Sequence, residues 1–151
     1  MSPTPKPHTR VWRDPLTHQD YTDVPLRLAD RLDSIATAAR PRPGEGHSIE
    51  RSVAQQAVRE QLQHLLSAFG YRNAYRRLVD ELHAGEDGLL PISEDRRGEL
   101  RHQADTFAAL RDLSVTWAVR EGASIEDAAL AAGITLNDAV AAVAREGHEE
   151  D

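Results

Sequence analysis

Residues 122–146 read GASIEDAALAAGITLNDAVAAVARE, and they carry the most information about the fold of the chain. Ser124 is followed three residues later by Asp127, which is the spacing of a capped helix start. The apolar positions that follow recur at helical spacing until Gly133, a residue that favours the end of a helix. The pattern therefore predicts a short helix over residues 125–132.

The same capping spacing recurs immediately after the glycine. Thr135 is followed three residues later by Asp138, and alanine and valine then fill the helical positions. A final helix is predicted over residues 136–146, so that only residues 133–135 separate the two helices. Two capped helices joined by a three-residue turn form a helix-turn-helix.

This C-terminal unit resembles the helix-turn-helix family of DNA-binding proteins. In that family a small residue stands where the two helices touch, a glycine follows four residues later in the turn, and an aliphatic residue comes next. Ala129, Gly133 and Ile134 occupy these three places. Residues 113–122 would form the supporting helix, so the resemblance covers about residues 113–146. It implies a helix-turn-helix fold whose last helix carries the binding surface.

The family's base-reading positions lie at the start and on the outer face of the last helix. Only Thr135 and Asn137 among them could hydrogen-bond a base edge, because the first turns of this helix carry no Arg, Lys or Gln. The small aliphatic side chains suit helix packing instead, unless the N-terminal helices cover them. The expected partner-binding face consists of Thr135, Leu136, Asn137, Val140, Ala141 and Ala144.

The net charge of −7 is concentrated at the C-terminal end of the chain. From Glu121 to Asp151 there are eight acidic residues and one basic residue, Arg145, whereas residues 1–120 contain 17 of each. A DNA-binding surface needs cations near the phosphates, since that electrostatic attraction provides much of the affinity. The charge distribution therefore favours a protein partner, or a homodimer, over DNA as the ligand of this unit.

Four further helices are predicted upstream, where apolar residues recur at intervals of three and four. Gly70 is expected to end the second of them, and Gly85 with Gly88 to end the third. The predicted helices cover residues 25–39, 49–69, 71–84 and 94–121, with Ser48 and Ser93 as the caps of the second and fourth. The fold class is therefore all-α, with a bundle of about four N-terminal helices followed by the helix-turn-helix.

The N-terminal residues show no helical period and no strand alternation, and residues 1–23 contain four prolines. They are predicted to form an extended arm, which either packs on its own domain or docks on a partner. Residues 41–46 are a predicted linker. The expected organisation is an arm over 1–23, a helical bundle over 24–92, a long helix plus helix-turn-helix over 93–146, and an acidic tail over 147–151.

Two groups of arginines could contact phosphates or an acidic partner. Each group places guanidinium groups four residues apart, on one face of a predicted helix. The alternative is a solvated face with local ion pairs to nearby carboxylates. The groups are Arg72, Arg76 and Arg77 on the third helix, and Arg96, Arg97 and Arg101 on the fourth.

No catalytic residue, metal ligand or cofactor site is predicted. Cysteine is absent, and the seven histidines include no pair four residues apart. Glu99 and His102 form a single Glu-x-x-His pattern, whereas a di-iron bundle needs two. Glycine loops and nucleophile motifs are also missing.

The sequence favours a non-enzymatic regulatory or accessory protein that acts through macromolecular binding. The alternative is a helix-turn-helix transcriptional regulator that binds DNA, and the third is a small helical enzyme. No apolar segment approaches the length of a membrane span, and residues 1–10 do not form a signal peptide. A cytoplasmic location is therefore expected.

Overall fold

The structure is a computed structural model that describes residues 7–38, 49–86, 88 and 91–149. The predicted linker over 41–46 and the tail residues 150–151 lie outside the described residues. Two compact units are present, Met1–Leu62 and Gln63–Asp151. The described elements are β1 (Thr9–Arg13), β2 (Asp20–Pro25), α1 (Leu26–Ala38), α2 (Ile49–Glu86), α3 (Glu94–Arg120), α4 (Ile125–Ala132) and α5 (Leu136–Glu149).

The first unit begins with a β-hairpin that the sequence did not predict. β1 pairs with β2 in antiparallel register, from Thr9 opposite Pro25 to Arg13 opposite Asp20, with a bulge in between. Asp23 lies at the bulge with φ 53°, a left-handed conformation that aspartate tolerates better than most residues. Extended backbone was expected here, but the bulge breaks the alternation that would have indicated pairing.

Trp12 joins this hairpin to α1. Its side chain is 1% exposed, and its indole Nε1 donates a hydrogen bond of 2.8 Å to Asp33 Oδ1 on α1. Arg10 Nη2 lies 2.6 Å from the other carboxylate oxygen of Asp33. Leu28 and Leu32 of α1 are also buried. The hairpin and α1 therefore share one small apolar core with a polar link at its edge.

The prediction that Gly70 ends a helix is wrong, because α2 continues through this residue. The helix runs without interruption over 38 residues and ends at Glu86, between Gly85 and Gly88. Gly70 is exposed, and a Cβ atom placed on it would meet nothing within 4 Å. A glycine inside a helix costs about 1 kcal/mol, which the packing of apolar residues on both sides offsets. The segments predicted as second and third helices are therefore one helix.

In the second unit α2 and α3 are antiparallel. His64 contacts Trp117 and Tyr71 contacts Phe107, each pair with ring centroids 6.1 Å apart. Further along α2, Glu81 accepts a hydrogen bond of 3.2 Å from Arg96, near the start of α3. Ser93 caps the start of α3, since its Oγ accepts a hydrogen bond from the Arg96 backbone N–H.

α4 and α5 meet at a tight turn. α4 begins after Ser124, whose Oγ accepts a hydrogen bond of 3.1 Å from the Asp127 N–H. It ends at Gly133, which has φ 66° and ψ 34° in the left-handed region, so the predicted helix end at this glycine is confirmed. The Ile134 N–H donates to the Ala129 carbonyl at 3.1 Å, which closes the helix end. The two helices are bent by 105° at this break.

The described part of the chain is mostly helical, which confirms the all-α prediction at that level. Three helices, α1, α2 and α3, precede α4, whereas about four were predicted. The two strands form a sheet of their own and no larger sheet is present among the described residues.

Candidate functional site

α5 has two chemically different faces. Ala139 and Ala142 are fully buried against the rest of the second unit. Leu136 and Val140 lie on the other side and are 46% and 51% exposed. Since residues four apart share a helix face, these two side chains form a stripe along the outside of α5. We refer to Thr135, Leu136, Asn137, Val140, Ala141 and Ala144, all of which are exposed, as the α5 outer face.

Thr135 is the N-terminal cap of α5. Its Oγ1 accepts a hydrogen bond of 3.1 Å from the Asp138 backbone N–H and so caps the start of α5. A hydroxyl in this role satisfies a helix N–H that would otherwise lack an acceptor. Asn137 is exposed and is the remaining polar side chain of the face.

The charge around α5 is negative. Arg145, the one basic residue between Glu121 and Asp151, donates a hydrogen bond of 3.1 Å to Asp112 on α3. Asp112 is also 3.3 Å from Arg111 Nε. Arg145 therefore ties α5 to α3, while Asp138 and Glu126 remain exposed at the start of the two C-terminal helices.

The three clustered arginines on α3 differ in their surroundings. Arg96 pairs with Glu81 at 3.2 Å and with Glu99 at 3.3 Å. Hydrogen bonds to these two carboxylates raise the pKa of Arg96. Arg97 is half-buried, with an Nε that has no hydrogen-bond acceptor, and Arg101 is exposed. Arg96 therefore forms the local ion pairs that were the alternative to a phosphate contact.

The arginines on α2 are arranged differently. Arg76 and Arg77 are exposed, whereas Arg72 is half-buried over the ring of Phe69, with its guanidinium carbon 5.3 Å from the ring centroid. Arg72 Nε and Nη1 are buried without a hydrogen-bond acceptor. Burial, and then the positive charge of Arg76, lower the pKa of Arg72 to about 10.

Arg72 and Arg76 also reach the turn between α4 and α5. A Cβ atom on Gly133 would lie 2.7 Å from Arg72 Cδ and 3.1 Å from Arg76 Nη2. The structure therefore brings part of the predicted α2 cluster next to the end of α4 and the start of α5. The sequence contained no signal for this contact, because spacing within a helix says nothing about a partner about 60 positions away.

Trp117 was not among the predicted site residues. It is 40% exposed, with the His64 ring stacked on one side and Arg120 Cζ 5.2 Å from its own ring centroid. An exposed tryptophan is uncommon on the surface of a monomeric protein and common at interfaces.

Among the described residues, no group of three or more His, Asp or Glu side chains is placed to hold a metal ion. No single described helix is long and apolar enough to cross a membrane, and α4 and α5 meet that criterion only when counted together across their bend.

No protein-family model matches this sequence, and no curated protein or solved structure matches it either.

Proposed function

We propose that this chain is a non-enzymatic regulatory or accessory protein that binds another protein through the α5 outer face. In this proposal the end of α3, α4 and α5 act as a helix-turn-helix unit. The short α4, the left-handed Gly133 and the 105° bend support that assignment, since helices in this motif meet at roughly 90–120°.

The observation that carries the proposal is the exposure of Leu136 and Val140 on a helix whose opposite side is fully buried. The two side chains leave a continuous apolar strip in water, with alanines at positions 141 and 144 beside them. An amphipathic helix can cover such a strip by placing its own apolar side chains against it. Binding would then remove apolar surface from water at each contact.

Charge favours a basic partner over a second copy of this chain. Eight acidic residues and one arginine lie between Glu121 and Asp151, and that arginine is paired with Asp112. Two copies meeting through α5 would bring these acidic segments together and repel each other. A partner helix with lysine or arginine flanking its apolar positions would be attracted instead.

Site-specific photo-crosslinking with the full-length protein in its own cells tests this proposal. A benzophenone amino acid at Val140 should give one discrete adduct, and Leu136→Asp should abolish it. The matched control is the same probe at Glu126, which is exposed on α4 and outside the α5 outer face. Mass spectrometry of the adduct separates a second copy from a different protein. Identical adducts from both positions, or none from Val140, would refute the proposal.

A second candidate function is DNA binding, and one observation favours it. Arg72 and Arg76 lie against the turn that precedes α5, where they would supply cations that α5 itself lacks. Helix-turn-helix proteins place the start of this helix at the bases, with phosphate contacts around it. Asn137 would then be the side chain of the α5 outer face that is available to read a base edge.

A further inference from the structure

The contact between α2 and the α4–α5 turn is possible because residue 133 is a glycine. Gly133 has no Cβ, and the side chain of Arg72 runs through the space that a Cβ would need. Arg76, one helical turn further along α2, brings Nη2 to the same place. Two guanidinium groups are therefore brought to one backbone turn.

Neither Arg72 nor Arg76 forms an ion pair with a carboxylate in the part of the chain that the structure describes, in contrast to Arg96 on α3. Arg72 additionally keeps Nε and Nη1 buried without an acceptor. A partly buried cation without hydrogen-bond acceptors, next to a like charge, is unfavourable unless another group compensates it.

The protein compensates Arg72 only in part. The C-terminal end of α4 carries partial negative charge, and the Phe69 ring lies under the guanidinium group. However, the backbone N–H groups of Gly133 and Ile134 already use the carbonyls of Leu130 and Ala129. None of these carbonyls accepts a hydrogen bond from Arg72 Nε or Nη1, so the donors remain unused.

We propose that Arg72 and Arg76 form a binding site for a phosphate-class oxyanion beside the α4–α5 turn. Because Nε and Nη1 are buried, the anion contacts Arg72 at Nη2 and bridges to the exposed guanidinium group of Arg76. It offsets the adjacent positive charges of the two arginines and does not supply an acceptor to Nε or Nη1. Phosphate oxygens can accept several charge-assisted hydrogen bonds at once, and arginine is the preferred donor for them. The phosphate is either free in solution or part of a nucleic-acid backbone.

This site contains no residue of the α5 outer face, so phosphate binding can fail while protein binding through that face holds, and the reverse. Its nucleic-acid arm rests on the second candidate function, DNA binding. Inorganic phosphate is titrated into the full-length protein by isothermal calorimetry at constant ionic strength, with chloride as the reference salt. Arg76→Ala should weaken phosphate binding about tenfold, the loss expected for one charge-assisted hydrogen bond. Arg77→Ala is the matched control, because Arg77 is exposed on the same helix and supplies none of the three atoms nearest to a Cβ on Gly133. It should leave the affinity within about twofold.

Arg72→Lys provides a second variant, which keeps the charge but removes the planar guanidinium fork. It should also weaken phosphate binding, while circular dichroism checks that the helices remain folded. Competition between phosphate and a labelled random duplex then identifies the source of the anion. Parallel loss of both ligands in Arg76→Ala indicates backbone phosphate, and loss of inorganic phosphate alone indicates a free anion. Absence of saturable phosphate binding, or equal effects of Arg76→Ala and Arg77→Ala, would overturn the proposal.

Discussion

The Arg72 side chain lies so close to Gly133 that a Cβ atom on residue 133 would be only 2.7 Å from Arg72 Cδ. Gly133 also has φ 66°, a conformation that other residues adopt at a cost. The turn between α4 and α5 therefore depends on glycine for two separate reasons, one in its own backbone and one in a side chain of α2.

Gly133→Val should lower the free energy of unfolding by about 1 kcal/mol or more, because a β-branched residue is strained at positive φ and also collides with Arg72. Chemical denaturation of the full chain measures the loss. Gly98→Ala is the control, since Gly98 lies inside α3 with nothing within 4 Å of its would-be Cβ. That control should be neutral or stabilising, and a wild-type stability for Gly133→Val would contradict the described turn.

Gly70→Ala should raise the free energy of unfolding by about 0.5–1 kcal/mol, which is the helix-interior preference for alanine. The reason is that α2 continues through Gly70 and leaves open space around it. Denaturation curves for this variant distinguish the continuous helix from two helices that end and begin at this residue. A glycine that ended a helix in a left-handed conformation would make the alanine variant less stable instead.

Asp33→Ala should destabilise the first unit by about 1–3 kcal/mol, because it leaves the indole N–H of the buried Trp12 without its acceptor. Asp20→Ala is the control, since it removes a surface ion pair with Arg13 and should cost less than about 1 kcal/mol. The chain has two tryptophans, so Trp117→Phe as background lets fluorescence report on Trp12 alone. Equal losses in the two aspartate variants would show that the indole hydrogen bond contributes nothing.

Titration of the full-length protein with random duplex DNA should show weak binding at low salt and none at physiological salt. The acidic segment from Glu121 onward repels the phosphates, and α5 carries no cation in its first turns. Combined replacement of the six arginines of the two clusters by alanine should remove the weak binding, whereas Asn137→Ala should change little. Sub-micromolar binding of one specific duplex, with a sequence specificity that Asn137→Ala reduces, would make DNA binding the function.

The C-terminal helices could be predicted from the sequence because their signals are local. Ser124 and Thr135 cap helices within three residues of themselves, and both caps are present in the structure. Gly133 ends α4 through its own backbone. The exposure of Leu136 and Val140 was left open by the sequence, because it depends on what the rest of the chain covers.

Features that depend on distant residues could not be predicted. Glycine often ends a helix, but α2 continues through Gly70 because apolar residues pack on both sides of it. The pairing of β1 with β2 is hidden by the bulge at Asp23 and by strands of only five and six residues. The position of Arg72 at Gly133 depends on the fold of the second unit, which no spacing within α2 reveals.

The hairpin and α1 have a consequence for the order of folding during synthesis. Their contacts join β1, β2 and α1, which all lie between Thr9 and Ala38, so every loop that must close is short. Short loops cost little entropy, and contacts near in sequence form quickly. The Trp12–Asp33 link can therefore form while α3 is still being translated, which would shield the tryptophan before the larger second unit exists.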